Sequence, residues 1–86
     1  MNKSSRVKIY ITDYCGYCQL AKQLLEKKGI TYEAINLTSS PNELIALKER
    51  SGLLTVPQIY IDDELIGGYT ELAILDKKGS LEPLVA

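Results

Sequence analysis

Cys15-Gly16-Tyr17-Cys18 holds the only two cysteines of this 86-residue chain, at the point where a strand pattern gives way to a helix pattern. Two thiols separated by two residues at such a junction are the arrangement of a dithiol redox site. A disulfide needs Cα atoms roughly 4.4–6.8 Å apart, a distance that the first turn of a helix supplies without strain. The same turn aims free N–H groups and the positive helix end at the first sulfur, which favours its thiolate.

Two plainer roles compete with this one. A free cysteine is often a small buried hydrophobe, but that fits poorly with two of them flanking Gly-Tyr at a helix start. A mononuclear zinc site needs about four N, S or O ligands. The chain has no histidine and no second cysteine pair, so zinc would have to enlist carboxylates. Redox exchange is the stronger reading, with Cys15 as nucleophile ahead of the helix and Cys18 shielded in its first turn to resolve the mixed disulfide. Lowering a thiol pKa from about 8.5 to about 5 raises the thiolate population roughly thirtyfold at neutral pH. Intrinsic nucleophilicity falls by a comparable factor when the Brønsted slope is about 0.4–0.5. The lasting gain is that Cys15 becomes a good leaving group.

The flanking periodicities describe one small α/β domain spanning 1–86. Val7-Lys8-Ile9-Tyr10-Ile11 alternates as a strand with Val7, Ile9 and Ile11 on one face. From Cys18, the residues Leu20, Ala21, Leu24 and Leu25 recur at helical spacing, and Gly29 supplies a stop. A second strand is expected over Thr31–Asn36. Ser40-Pro41-Asn42-Glu43 has the form of a capping box with proline at the first helical position. That helix would carry Leu44, Ile45, Leu47 and Leu53 on its apolar stripe and stop near Gly52. Gln58–Ile61 is a third strand, Asp62-Asp63-Glu64 a turn, and Leu65-Ile66 a short hairpin partner. Gly67-Gly68 breaks it, and a last helix runs from Thr70, its expected N-cap, to Lys77. The order is βαβ-α-ββ-α, a mixed sheet covered by helices.

A net charge of −1 gives no basic footprint for nucleic acid and no polybasic membrane patch. The opening Met1–Arg6 is basic and polar without an apolar run behind it, so no signal peptide and no membrane span is expected. A cytoplasmic, reducing location is the expectation, and there a lone cysteine pair is expected to be catalytic or metal-binding rather than a structural staple. Asp13 would oppose ionisation of Cys15 if it stood close. Tyr17 is a candidate to line a substrate groove, and Tyr14 fits ordinary packing as well. For Thr55-Val56-Pro57, composition favours a trans bond, since only about 5–6% of X–Pro bonds are cis, and spacing alone does not bring this proline to Cys15.

Taken together, Cys15–Cys18, Thr55-Val56-Pro57-Gln58-Ile59-Tyr60-Ile61-Asp62 and Ile66-Gly67-Gly68-Tyr69 resemble the glutaredoxins, especially small bacterial dithiol ones, over nearly the whole chain. The resemblance implies a thioredoxin fold with a four-stranded mixed sheet and a cis Val56–Pro57 bond packed against the cysteine pair. It implies glutathione as reducing cosubstrate, bound by Cys15, Tyr17, Thr55, Val56, Pro57, Gly68, Tyr69 and Thr70. In that site Val56 would pair with the glutathione cysteine like an added strand. Gly68, Tyr69 and Thr70 would offer N–H groups to the γ-glutamyl carboxylate. The implied reaction is reduction of protein disulfides and glutathionylated client proteins by a monomer through Cys15 and Cys18.

Three residues depart from the family pattern. Gly16 stands where many members have proline, and small residues there occur in members that hold a [2Fe–2S] cluster between two protomers with two glutathiones. A cluster-carrying dimer is therefore an alternative, with Cys15 as ligand and no metal in the monomer. Thr12 replaces a common lysine, and Leu53-Leu54 replace basic or polar residues that meet the glycyl carboxylate of glutathione. Weak glutathione binding, or reduction by a flavoprotein reductase instead, is the expectation attached to them.

Overall fold

The computed structural model describes residues 6–85. The polar opening Met1–Ser5 lies outside them. Eight elements follow in order: β1 (Val7–Ile11), α1 (Gly16–Lys27), β2 (Glu33–Asn36), α2 (Pro41–Ser51), β3 (Gln58–Ile61), β4 (Glu64–Gly67), α3 (Tyr69–Lys77) and α4 (Leu81–Val85). The sheet order is β2-β1-β3-β4. β1 pairs parallel with β2, Ile9 opposite Ala34, and antiparallel with β3, Ile9 opposite Ile59. β3 and β4 form an antiparallel hairpin. This is the four-stranded mixed sheet of a thioredoxin fold.

The alternation in β1 does what its period requires. Val7, Ile9 and Ile11 are buried on one face, joined by Ile59 and Ile61 of β3, by Cys18, Ala21 and Leu25 of α1, and by Leu72 and Leu81. Each such aliphatic side chain contributes about 1.5–3 kcal/mol when fully buried. Leu37 and Leu47 are buried outside this cluster. On the opposite face of the sheet, Tyr10 and Tyr60 meet edge to face with centroids 5.5 Å apart.

Several expectations require correction. Leu20 is 43% exposed rather than core. At 100° per residue it points roughly 130° away from the Cys18–Ala21–Leu25 stripe. On α2 only Leu47 is buried, while Ile45 faces solvent. Ser40 is the N-cap of α2 but forms no side-chain cap, since its ψ of 65° falls short of the extended geometry that aims the hydroxyl at the first turn. α3 begins at Tyr69 with Gly68 as N-cap, so Thr70 lies inside the helix. The first helix starts at Gly16, and β2 begins at Glu33 rather than Thr31. Asp62 and Asp63, both at positive φ (52° and 67°), form the tight two-residue turn that suits a twisted hairpin. Glu64 already belongs to β4.

α4 was not foreseen, being too short to show a period. Its Leu81 is fully buried in the core. Charges fasten it: Lys28 Nζ, at the C-cap of α1, lies 2.9 Å from Asp76 of α3 and 3.5 Å from Glu82 of α4. The Arg6 guanidinium grips the Asp62 carboxylate at 2.8 and 2.6 Å and donates to the Leu84 carbonyl at 2.9 Å. No helix among the described residues is long and apolar enough to cross a membrane.

The Tyr32 hydroxyl donates to the Glu26 carboxylate. Burial first, then that hydrogen bond, pushes its pKa from 10 up to about 12. The neutral phenol is thus favoured in the folded chain, and its stabilising contribution is complete below pH 10 and lost as pH rises towards 12. Tyr32→Phe should therefore be less stable than the parent at about pH 9, with the gap narrowing by about pH 11.5. Urea unfolding at both pH values checks this, and a gap independent of pH would dismiss the bond as a contributor.

Candidate active site

Cys15 is the N-cap of α1, in extended conformation (φ −112°, ψ 105°), and its Sγ accepts a hydrogen bond from the Cys18 N–H at 3.1 Å. A sulfur here takes the place that a serine or aspartate oxygen fills at most helix starts. On reduction, the same N–H and the helix end favour a thiolate. The two sulfurs are joined as a disulfide with Cα atoms 5.2 Å apart, as the spacing requires. Cys18 is 1% exposed and belongs to the buried core, whereas Cys15 is half-buried. Of the two residues, only Cys15 is open to solvent to any extent.

The Val56–Pro57 bond is cis, and the Val56 carbonyl oxygen lies 3.7 Å from Cys15 Sγ. Topology joins these distant segments: β1 and β3 are neighbours, so the residues following β1 and those preceding β3 emerge at one end of the sheet. Beside them runs a groove of about 410 Å³ lined by Tyr17, Leu53, Thr55, Val56, Pro57, Gly68, Tyr69, Thr70 and Glu71. All seven residues named with Cys15 for the glutathione site line it. The Tyr17 and Tyr69 rings, both in its lining, form a tilted pair with centroids 6.0 Å apart. Tyr14 is fully exposed and packs on nothing, held at φ 61°. Such a conformation costs a bulky residue about 1–3 kcal/mol. The backbone before it is anchored, with Asp13 N–H donating to Thr38 Oγ1 at 2.6 Å. Asn36 Nδ2 also donates to the Asp13 carboxylate at 2.9 Å, turning that charge towards β2.

Two contributors escaped the sequence reading. Gln58 is wholly buried, and its Nε2 donates to the Leu53 and Thr55 carbonyls at 3.0 and 3.2 Å, while Tyr60 OH donates to its Oε1 at 3.3 Å. It fixes the loop that leads into Pro57. Glu71 Oε1 accepts from the Gly68 N–H at 2.8 Å, so this donor, expected to face a ligand carboxylate, is already engaged. Leu53, expected on the α2 stripe and also where other members meet the glycyl carboxylate, lies beyond the end of α2 and lines the groove. The spacing Gly68-x-x-Glu71 carried a signal, since a glutamate three residues after an N-cap reaches back to the cap N–H.

The groove lining contains no lysine or arginine, and its one charge is Glu71. Among the described residues no group of three or more His, Cys, Asp or Glu side chains could hold a metal ion. A bridging cluster would find one accessible ligand per chain, Cys15, and would draw the others from outside it.

A glutaredoxin family model matches residues 7–66. Glutaredoxin 3 of Escherichia coli (strain K12) is 40% identical over 81 residues, covering 94% of this chain and 98% of that protein. Glutaredoxin 1 of Rickettsia prowazekii is 43% identical over 90 residues, covering 99% and 94%. The solution structure of glutaredoxin from Brucella melitensis superposes with a TM-score of 0.84 at 36% identity, over 98% of this chain and 91% of that one. A buckwheat glutaredoxin–glutathione complex gives 0.87 at 30% identity, over 94% and 76%.

The backbone beneath the groove tests this geometry. Gly67 is buried at φ 132°, and a Cβ there would stand 2.7 Å from Glu71 Cγ. Gly67→Ala should displace Glu71 from the Gly68 N–H and lower stability by about 1–3 kcal/mol. Chemical denaturation measures that loss, and parental stability would show the glycine to be dispensable.

Proposed function

Because the chain belongs to the glutaredoxin family and is a thiol-disulfide oxidoreductase, we propose that glutathione is its reducing cosubstrate and that Cys15 and Cys18 divide the work. The observation that carries this is their asymmetry: one sulfur caps the helix beside the groove, and the other is 1% exposed behind it. With a glutathionylated client, the Cys15 thiolate attacks the glutathione sulfur. The client–glutathione bond breaks, the client thiolate leaves and takes a proton, and Cys15 carries the glutathione. A second glutathione thiolate attacks that sulfur, releasing oxidised glutathione and returning Cys15.

With a protein disulfide, Cys15 forms a mixed disulfide with one client sulfur and the other leaves as thiol. Cys18 then attacks Cys15, freeing the second client thiol. The client gains two electrons, and the Cys15–Cys18 disulfide seen here is the product. Two glutathiones reduce it. In this reading Tyr17, Thr55, Val56, Pro57, Tyr69 and Thr70 form the glutathione groove, with Gly68 contributing backbone whose N–H Glu71 already holds. The buckwheat relative's complex with glutathione supports it. A reducing, cytoplasmic location goes with a glutathione-driven cycle.

The absence of a cation from the groove lining favours weak retention of glutathione, a tripeptide with two carboxylates. Initial rates on a glutathionylated peptide should therefore climb through the millimolar glutathione range without early saturation. Turnover by a flavoprotein reductase but none with glutathione would replace glutathione as the electron source.

Cys15→Ser should lower deglutathionylation by at least roughly 10³-fold. Cys18→Ser should keep most of it yet lose reduction of protein disulfides. Substantial activity in Cys15→Ser with glutathione as reductant would overturn the assignment.

A further inference from the structure

A second depression adjoins the redox groove and has no part in the cycle above. It is wide and shallow, about 550 Å³, and is lined by Gly16, Tyr17 and Leu20. Tyr17 belongs to both, so the two adjoin at that side chain, two residues along the chain from Cys15. Its walls are uncharged. Tyr17 is 64% exposed and Leu20 43%, two large apolar groups on the first turns of α1 that the core does not use.

Gly16 forms the floor. A Cβ built there meets nothing within 4 Å, and its φ is not in the left-handed region. Neither packing nor backbone conformation thus asks for glycine, and the first position of a helix is one that proline fills well. What glycine does here is keep the floor low and the space above it open.

We propose that this depression is a client subsite, taking an apolar side chain one or two residues from the client cysteine that becomes joined to Cys15. The inference rests on the oxidoreductase reading and adds a substrate class to it: disulfides in extended protein segments with an apolar neighbour. Continuity with the redox groove selects the occupant. A polypeptide whose sulfur is bonded to Cys15 must run on over adjoining surface, and a strand advances about 3.3 Å per residue. Its nearest side chains therefore fall within reach of Gly16, Tyr17 and Leu20. The exchange is the one already written: the client S–S bond breaks, Cys15–client forms, and Cys18 releases the client as thiol while the pair takes its place as disulfide.

The test is single-turnover, with enzyme reduced by dithiothreitol and then freed of it. Two disulfide-linked peptides are compared, identical except for leucine or serine beside the cysteine, together with bis(2-hydroxyethyl) disulfide. The parent should reduce the leucine peptide about fivefold faster than the serine peptide. Leu20→Ser should remove that preference while leaving the serine peptide and the small disulfide unchanged, and Leu20→Met should restore it. Equal rates on both peptides with the parent enzyme, or a uniform loss on all three substrates in Leu20→Ser, would overturn the subsite. Failure of the parent on every substrate would instead overturn the oxidoreductase reading, and the subsite with it.

Discussion

The burial of alternate residues along β1 is the constraint on which the remaining architecture rests. Val7, Ile9 and Ile11 lie inward, so β1 is held in one register against both β2 and β3. A slip of one residue would send all three to the other face. With that register fixed, the chain leaves β1 beside the entrance to β3. The cysteine pair and the cis proline loop then meet although some forty residues separate them. The redox site is a consequence of strand order before it is a consequence of any side chain.

Within that frame, two local devices shape the reactive end. Cys15 performs structural and chemical roles with one atom, because the sulfur that satisfies the free Cys18 N–H is also the one beside the Val56 carbonyl. The adjacent loop hangs from Gln58, a buried amide whose donors and acceptor are all engaged. A buried polar group of this kind is stabilising only when fully partnered. It directs the loop carbonyls inward and leaves the side chains of Leu53 and Thr55 to line the groove.

Much of this was legible in the sequence, for physical reasons that differ by element. β1 showed strict alternation, and the cysteine spacing matched one helical turn, so both were readable from local pattern. The groove residues were named through a family resemblance, because nothing local in Val56-Pro57 tells that it meets Cys15. Leu20 departs from expectation because an aliphatic side chain outside the angular limits of the buried stripe stays exposed. The hydroxyl of Ser40 misled because a capping box is a matter of backbone angle as well as residue type. α4 was invisible since five residues carry no period, and its hold on the fold comes from Leu81 and from charges on distant elements. Gln58 and Glu71 looked like ordinary polar residues, and their roles exist only once the chain has folded.

The two walls of the groove are anchored in different ways. On the Leu53–Thr55 side the anchor is a carboxamide, which neither gains nor loses a proton and presents no net charge for salt to screen. On the Gly68–Thr70 side the anchor is the Glu71 carboxylate. Gln58 is wholly buried and takes no part in the lining, whereas Glu71 belongs to it. A molecule in the groove can therefore touch the anchor of the helix wall directly, while the cis proline wall is held from beneath, out of its reach.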